Sequence, residues 1–312
     1  MKEFRWQYFG LLFLVVGIIV YEIYKFFVFR SNLPAQERLE YETFHIELPE
    51  NLDFCGEKVP LKESDVRERL DRELYINVYW YSSTYLVIKR ANRWFPRIEK
   101  TLKEQKVPDD FKYLVVAESQ LTNSVSPAGA TGFWQLLEET AIRYGLVINE
   151  EIDERYHLEK STIAACKYLK EAYKKFGSWT LAAAAYNRGM QGIENAIKEQ
   201  QVTSYYDLAL NPETSRYVFR ILAYKEIMTN PKKYRFNLSK NSLYYPEPVR
   251  YIEVTKSIPN LALFAKEHGT NLKLLKLHNP WLRSDKLTVK EEQKYVLEIP
   301  QYESSEEDEE IL

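Results

Sequence analysis

The sequence predicts a mainly α-helical protein with a small α+β unit near its C-terminal end and an apolar helix at its N-terminal end. Three observations carry this. Residues 62–236 are rich in strong helix formers, with apolar residues recurring at helical spacing. Residues 251–301 read as strand, helix, helix, strand, and Trp6 to Tyr21 contain no charge. With 312 residues, 45% of them hydrophobic and 28% charged, the chain is long enough for a sizeable core and more than one domain. The 43 Lys and Arg and 45 Asp and Glu leave a formal net charge of −2, which gives no basic footprint for nucleic acid. Cys55 and Cys166 lack metal-ligand spacing, and the four histidines form no cluster, so neither a metal nor another cofactor is expected. A Cys55–Cys166 disulfide is possible in an oxidising compartment; two unpaired thiols are the commoner arrangement.

Residues 1–30 read as a membrane anchor: beyond Tyr21 the apolar character resumes after Glu22 and Lys25 with Phe26, Phe27 and Val28, about enough to cross a bilayer. No A-x-A-like site follows, which argues against a cleaved signal peptide, and basic residues on both flanks leave the orientation open. Residues 31–61 are expected to form a polar spacer, with one short strand around Phe44 to Leu48. Between Lys62 and Gln105, recurring apolar positions such as Val66, Leu70 and Leu74 predict two or three scaffold helices, the first opening near Ser64.

The next helix is expected to start at Pro108, whose missing N–H costs nothing there, with Asp109 and Asp110 near the positive end of the helix dipole. Phe111, Leu114, Val115 and Glu118 then fall at i, i+3, i+4 and i+7, placing a carboxylate on the face that three apolar side chains bury. Burial there raises a carboxyl pKa, as a general acid working near neutral pH requires; a salt-bridged core glutamate has the same spacing. Ser126-Pro127-Ala128-Gly129-Ala130-Thr131-Gly132 follows as a turn-rich run, then Phe133-Trp134-Gln135, an amide beside an indole that suits sugar binding. Further on, Ser161 is a plausible N-cap and Gly177 a plausible helix stop. The helix after Ser178 carries Ala182 to Ala185 and ends in Tyr186-Asn187, with Gly189 releasing the chain. From spacing alone, Tyr186 is a core tyrosine or a cleft residue, and Asn187 a helix cap or a cleft residue. Pro212 to Tyr234 reads as the last helix of this region, residues 237–250 as a linker, and 302–312 as an acidic disordered tail.

Glu118-Ser119, the run Ser126 to Gly132, Gln135, Thr140-Ala141, Ala185-Tyr186-Asn187-Arg188-Gly189 and Glu213 to Val218 stand in one order. In that order they resemble the lytic transglycosylase family with a lysozyme-like catalytic domain, and residues 62–105 resemble the helical lead-in of its membrane-bound type D branch. Leu261-Ala262 through Gly269-Thr270, with Asn279-Pro280, resembles a LysM peptidoglycan-binding repeat with a degraded opening. After Gln135 this chain departs from the family, with Glu138 where proline is usual. The resemblance implies cleavage of the β-1,4 bond between N-acetylmuramic acid (MurNAc) and N-acetylglucosamine (GlcNAc) in peptidoglycan, without water. Glu118 acts as acid and then as base, and a 1,6-anhydro-MurNAc end results. It further implies that Ser126 and Gln135 hydrogen-bond substrate, that Tyr186 and Tyr217 orient Glu118 or the sugar, and that Asn187 supports the cleft. The partners it implies are glycan strands and a membrane, the location a single-pass membrane protein with its body in the periplasm. Two alternatives remain. One is a lysozyme-like muramidase using Glu138, Glu139 or Asp153 to position water; the other is a catalytically silent peptidoglycan-binding protein.

Overall fold

Helix α9, Pro212–Thr229, is the axis of the helical body, and its sequence explains why. Val218, Phe219, Ile221, Leu222, Ala223 and Ile227 are fully buried and Tyr217 and Tyr224 nearly so, together covering every side of it, the pattern of a helix surrounded by protein. The structure is a computed structural model that describes residues 3–31 and 44–301. Around α9 stand α2 (Ser64–Tyr79), α4 (Phe111–Ser119) and α7 (Trp179–Arg188). A second layer holds α3 (Tyr81–Glu104) and α6 (Leu158–Phe176), with α5 (Glu138–Arg143) and α8 (Met190–Gln200) completing the body. The face Val66, Leu70 and Leu74 predicted for α2 is buried, and buried Glu73 on the same helix pairs with Arg216 of α9 at 2.6 Å. In α7 the run Leu181 to Ala185 is buried, its small side chains letting α6 and α9 approach closely. Gly177 stops α6 with φ +68°, a left-handed conformation that glycine adopts without steric cost.

At the N-terminal end, α1 spans Glu3–Ser31, with side chains described from Leu14 to Val28. The spanning anchor expected over 1–30 is not met there: among the described residues no helix is long and apolar enough to cross a membrane. The uncharged run of the sequence, Trp6 to Tyr21, covers about 24 Å of helix. Glu22 and Lys25, 3.5 Å apart, then interrupt it. Residues 32–43 of the expected spacer and the acidic tail, 302–312, lie outside the described residues. From Ile46 onward the chain belongs to the folded body, with Ile46, Leu52, Phe54, Val59 and Leu61 buried, so residues 46–61 are not spacer. The strand expected at Phe44 to Leu48 is absent. A small hairpin forms instead from β1 (Asp53–Phe54) and β2 (Glu57–Lys58), because Cys55 and Gly56 both take the positive φ a tight turn needs. Cys55 and Cys166 are free thiols.

Residues 249–300 adopt the expected strand-helix-helix-strand order: β3 (Val249–Val254), α10 (Leu261–Glu267), α11 (Leu272–His278) and β4 (Tyr295–Pro300). The strands pair antiparallel, Val249 opposite Pro300 and Val254 opposite Tyr295. Asn279 is buried yet satisfied, donating to the Leu275 and Glu298 carbonyls and accepting from the Glu298 amide. This unit is less separate than its sequence suggests. Ile152 of the helical body joins its core beside Trp281, Leu282 and Leu297, and the Arg283 amide donates to the Glu151 carbonyl at 2.8 Å. The presumed linker runs along α3, where Asn92 and Arg93 bond the Tyr244 and Tyr245 carbonyls at 3.0 and 2.8 Å.

The N-terminal hairpin anchors α7 through one side chain. The Glu57 carboxylate accepts from the Trp179 and Thr180 amides and from both the Ser178 and Thr180 hydroxyls, at 2.5 to 2.9 Å. It meets several of the unpaired N–H groups that every helix start presents, and its charge complements the helix dipole. Glu57→Ala is expected to destabilise the fold by about 2 kcal/mol, with Glu57→Gln intermediate. Denaturant titration of the three proteins checks this, and an Ala variant as stable as wild type would show that the contact contributes nothing.

Candidate active site

Glu118 ends the buried face of α4, as its spacing predicts: Phe111, Leu114 and Val115 are fully buried beneath it. The helix starts three residues later than expected. Pro108 to Asp110 make a tight turn in which the Phe111, Lys112 and Tyr113 amides each bond the carbonyl three residues back. Asp110 is spent elsewhere, accepting from the Cys55 amide at 2.6 Å and from Lys225 at 2.7 Å. The Glu118 side chain reaches the floor of a cleft of about 820 Å³, lined also by Ser126, Gln135, Tyr186 and Asn187. Four of the five residues assigned to substrate from sequence therefore line one cleft with Glu118. Tyr217, the fifth, stands behind it, 2% exposed, and donates its hydroxyl to the Glu118 carboxylate.

Burial pushes the Glu118 carboxyl up to about 7 from the ordinary carboxylate range. The Tyr217 hydrogen bond and the Arg220 charge pull the other way by favouring the ionised form, while the Glu213 carboxylate adds to the rise. Desolvation outweighs its two opponents, so near neutral pH the group is poised between acid and base. The Tyr217 phenol is itself driven well above its usual range, first by burial and then by the Glu118 charge, which keeps it a donor.

The other side chains spend much of their hydrogen bonding on the protein. Gln135 takes φ +47°, and its amide nitrogen donates to the Ser124 and Gly132 carbonyls at 2.9 and 2.8 Å, leaving Oε1 as its open group. The Ser126 hydroxyl accepts from the Ala130 amide at 3.0 Å and keeps its proton to donate. The Tyr186 hydroxyl donates to the Trp134 carbonyl at 2.7 Å. Asn187 is no helix cap: it donates to Glu213 at 3.0 Å and accepts from Thr214 at 2.8 Å, tying the end of α7 to the start of α9. Trp134, expected beside the amide as a sugar platform, is fully buried, with its indole N–H on Thr162 at 2.8 Å. Ser161, expected as an N-cap, lies inside α6 with its hydroxyl on the Leu158 carbonyl; His157 holds the cap position.

The loop from Ser124 to Leu136 is built to fixed dimensions. A Cβ on Gly132 would lie 2.2 Å from the Arg155 carbonyl oxygen, so only glycine fits. Arg155 in turn donates to the Gly129 carbonyl at 3.2 Å and is held by Asp153 at 2.7 Å. Asp153, considered from sequence as a second acid, is thus a clamp on this loop, and neither Glu138 nor Glu139 lines the cleft. Glu171 and Glu213 do line it. Sequence reasoning missed Glu171, Arg143, Arg188 and, behind the wall, Arg220. Arg220 was findable, since it follows Tyr217 by three residues and shares its side of α9. Among the described residues no three His, Cys, Asp or Glu side chains gather closely enough to hold a metal ion.

Residues 95–209 match the transglycosylase SLT domain, and residues 250–303 match the soluble lytic transglycosylase C-terminal LysM-like domain, so the chain carries both domains in that order. Tyr217 lies past the matched span. The chain is similar to the protein named membrane-bound lytic murein transglycosylase D of Escherichia coli strain K12, 31% identical over 194 residues, 59% of this chain and 42% of that protein. The same figures hold for its namesake in strain CFT073, and an Alteromonas putative tributyltin chloride resistance protein is 28% identical over 122 residues, 38% of this chain and 59% of the other. The chain thus spans less than half the length of the two transglycosylases it matches.

A carboxyl whose pKa is raised on folding binds its proton more tightly in the folded state. That contribution to stability is full below about 4.5 and is lost as the pH climbs through about 7. Glu118→Gln is expected to be more stable than wild type at pH 8, by roughly 2–3 kcal/mol, with the advantage gone at pH 4. Melting curves at both pH values check it, and an advantage independent of pH would contradict the assignment. Tyr217→Phe removes a donor to the ionised form, so the Glu118 pKa is expected to move above about 7, read by NMR titration of carboxyl-labelled glutamate.

Proposed function

We propose that this protein is a lytic transglycosylase that cleaves murein strands between MurNAc and GlcNAc with Glu118 as its single proton-transfer group. The observation that carries the reading is a carboxyl raised to about 7 on the floor of a cleft, inside a transglycosylase SLT domain. Protonated Glu118 gives its proton to the glycosidic oxygen as the bond from that oxygen to the anomeric carbon breaks, and GlcNAc leaves as an alcohol. The resulting carboxylate takes the proton of the muramyl C6 hydroxyl while that oxygen bonds to the anomeric carbon, closing the 1,6-anhydro ring and restoring the acid. No water enters and no protein nucleophile is needed. Tethering the attacking hydroxyl to the electrophile supplies a large effective molarity. A pKa near the working pH lets one group both give and take the proton.

In this reading the Ser126 hydroxyl and the Gln135 Oε1 meet polar groups of the sugar, Tyr217 aims Glu118, and Tyr186 and Asn187 hold the cleft wall. The cell envelope is the proposed place of work, supported by similarity to proteins named membrane-bound lytic murein transglycosylase D. The C-terminal unit is proposed to bind the same polymer, supported by its LysM-like match. The muramidase alternative draws support from Glu213, a second carboxylate in the cleft that acts on Glu118.

Digestion of purified sacculi with residues 44–312, followed by mass spectrometry, separates these readings. The expected products end in anhydro-muramic acid, lighter by one water than the reducing ends a muramidase leaves. Glu118→Gln is expected to lose about 10³-fold in turnover, and wild-type turnover is expected to fall as the pH passes about 7 and the acid form is lost. Reducing ends would establish hydrolysis, and undiminished Glu118→Gln activity would dispose of both enzymes.

A further inference from the structure

Three basic side chains line the cleft, and two of them are neutralised. Arg143 pairs with Glu171 at 2.5 Å, and Lys175 with Glu194 at 2.7 Å. Arg188, at the last position of α7, is exposed on the cleft wall and has no carboxylate within ion-pair distance among the described residues. Glu213, a carboxylate of the same cleft, is engaged by the Asn187 amide at 3.0 Å. A second, independent feature concerns Gly192, inside α8 one turn beyond. A Cβ there would lie 2.8 Å from the Arg188 Cγ and 3.2 Å from its Nε, so the missing side chain leaves the gap in which the arginine stem rests. Glycine inside a helix costs up to about 1 kcal/mol relative to alanine. Here that cost coincides with seating an unpaired guanidinium in the cleft.

We propose that Arg188 is a specificity-determining residue that binds a carboxylate of the glycan strand, and that Gly192 holds it in position. The proposal rests on murein being the substrate. A guanidinium offers a planar pair of donors that matches a carboxylate, and such charge-assisted bonds are among the stronger ones available at a partly open site. The strand offers two sources. The lactyl carboxyl of muramic acid is free where the peptide branch is missing, and the branch, where present, carries carboxylates of its own.

The test compares kcat/KM on native strands with that on strands whose carboxyl groups have been converted to amides. Arg188→Ala is expected to lower the native-to-amidated ratio about tenfold, and Arg188→Glu to invert the preference. Gly192→Ala is expected to keep or raise the melting temperature while lowering the same ratio, because the new methyl displaces the arginine without unfolding the helix. Strands stripped of peptide by an amidase separate the sources: a loss confined to peptide-bearing strands assigns the branch, and one confined to stripped strands assigns the lactyl group. An Arg188→Ala ratio equal to wild type on both native and stripped strands, or equal losses on carboxyl-bearing and amidated strands, overturns the proposal. Glu118→Gln run on every substrate keeps the two readings apart, since its full activity would sink the transglycosylase itself and leave the Arg188 comparison without bearing on it.

Discussion

Partial burial of one carboxyl group lining a cleft is the constraint on which the arrangement of this protein depends. Removing solvent from Glu118 raises its pKa to about 7, but the Tyr217 hydroxyl and the Arg220 charge both favour ionisation. The Glu213 carboxylate adds to the rise, and the outcome near neutrality requires these influences at fixed distances, three of them from side chains of α9. That helix therefore has to be immobile, which its all-round burial and the Glu73–Arg216 pair provide. Neither Tyr217 nor Arg220 lines the cleft, so a ligand can enter without displacing either.

The rest of the cleft follows a related economy: its polar side chains are fixed before they meet any ligand. Gln135, Tyr186 and Asn187 each spend a donor on the protein, to loop carbonyls, to Trp134 and to Glu213. A side chain locked in this way loses little further freedom on binding, so its remaining group is available to a ligand at small entropic cost. Preorganisation of this kind suits an intramolecular ring closure, where rate depends on holding one hydroxyl against one carbon.

The helical body and the C-terminal strand-helix-helix-strand unit were legible in the sequence because both announce themselves by periodicity and by stop signals such as Gly177. Glu118 was legible for the same reason, since three apolar residues at helical spacing fix which way the fourth side chain points. The misreadings share a different cause. Trp134 read as a platform because an indole beside an amide carries no mark of depth, and only Thr162, 28 residues away, shows that it is core. Asp153 read as an acid because its partner Arg155 takes its role from the loop behind it. The hairpin at 53–58 and the pinned stretch near Tyr244 were missed because side chains from distant segments hold them, Lys225 in one case and Arg93 in the other. Contacts over such separations leave no local pattern to read.

Those long-range contacts also connect the C-terminal unit to the chemistry. Ile152 is buried in that unit's core, and the neighbouring Asp153 amide donates to the Trp281 carbonyl at 2.9 Å. The Asp153 carboxylate then holds Arg155, whose guanidinium donates to the Gly129 carbonyl of the loop lining the cleft. Three consecutive links thus run from the C-terminal core to the loop that lines the cleft, each a buried or half-buried polar contact of ordinary length. A tethered binding module needs none of them; a flexible linker would serve to keep it near its polymer. Their presence means that the unit also contributes to the shape of the loop, because Asp153 cannot shift without moving either Trp281 or Arg155. Packing as tight as that around Gly132, where one added methyl would collide with the Arg155 carbonyl, leaves the loop no slack to absorb such a movement.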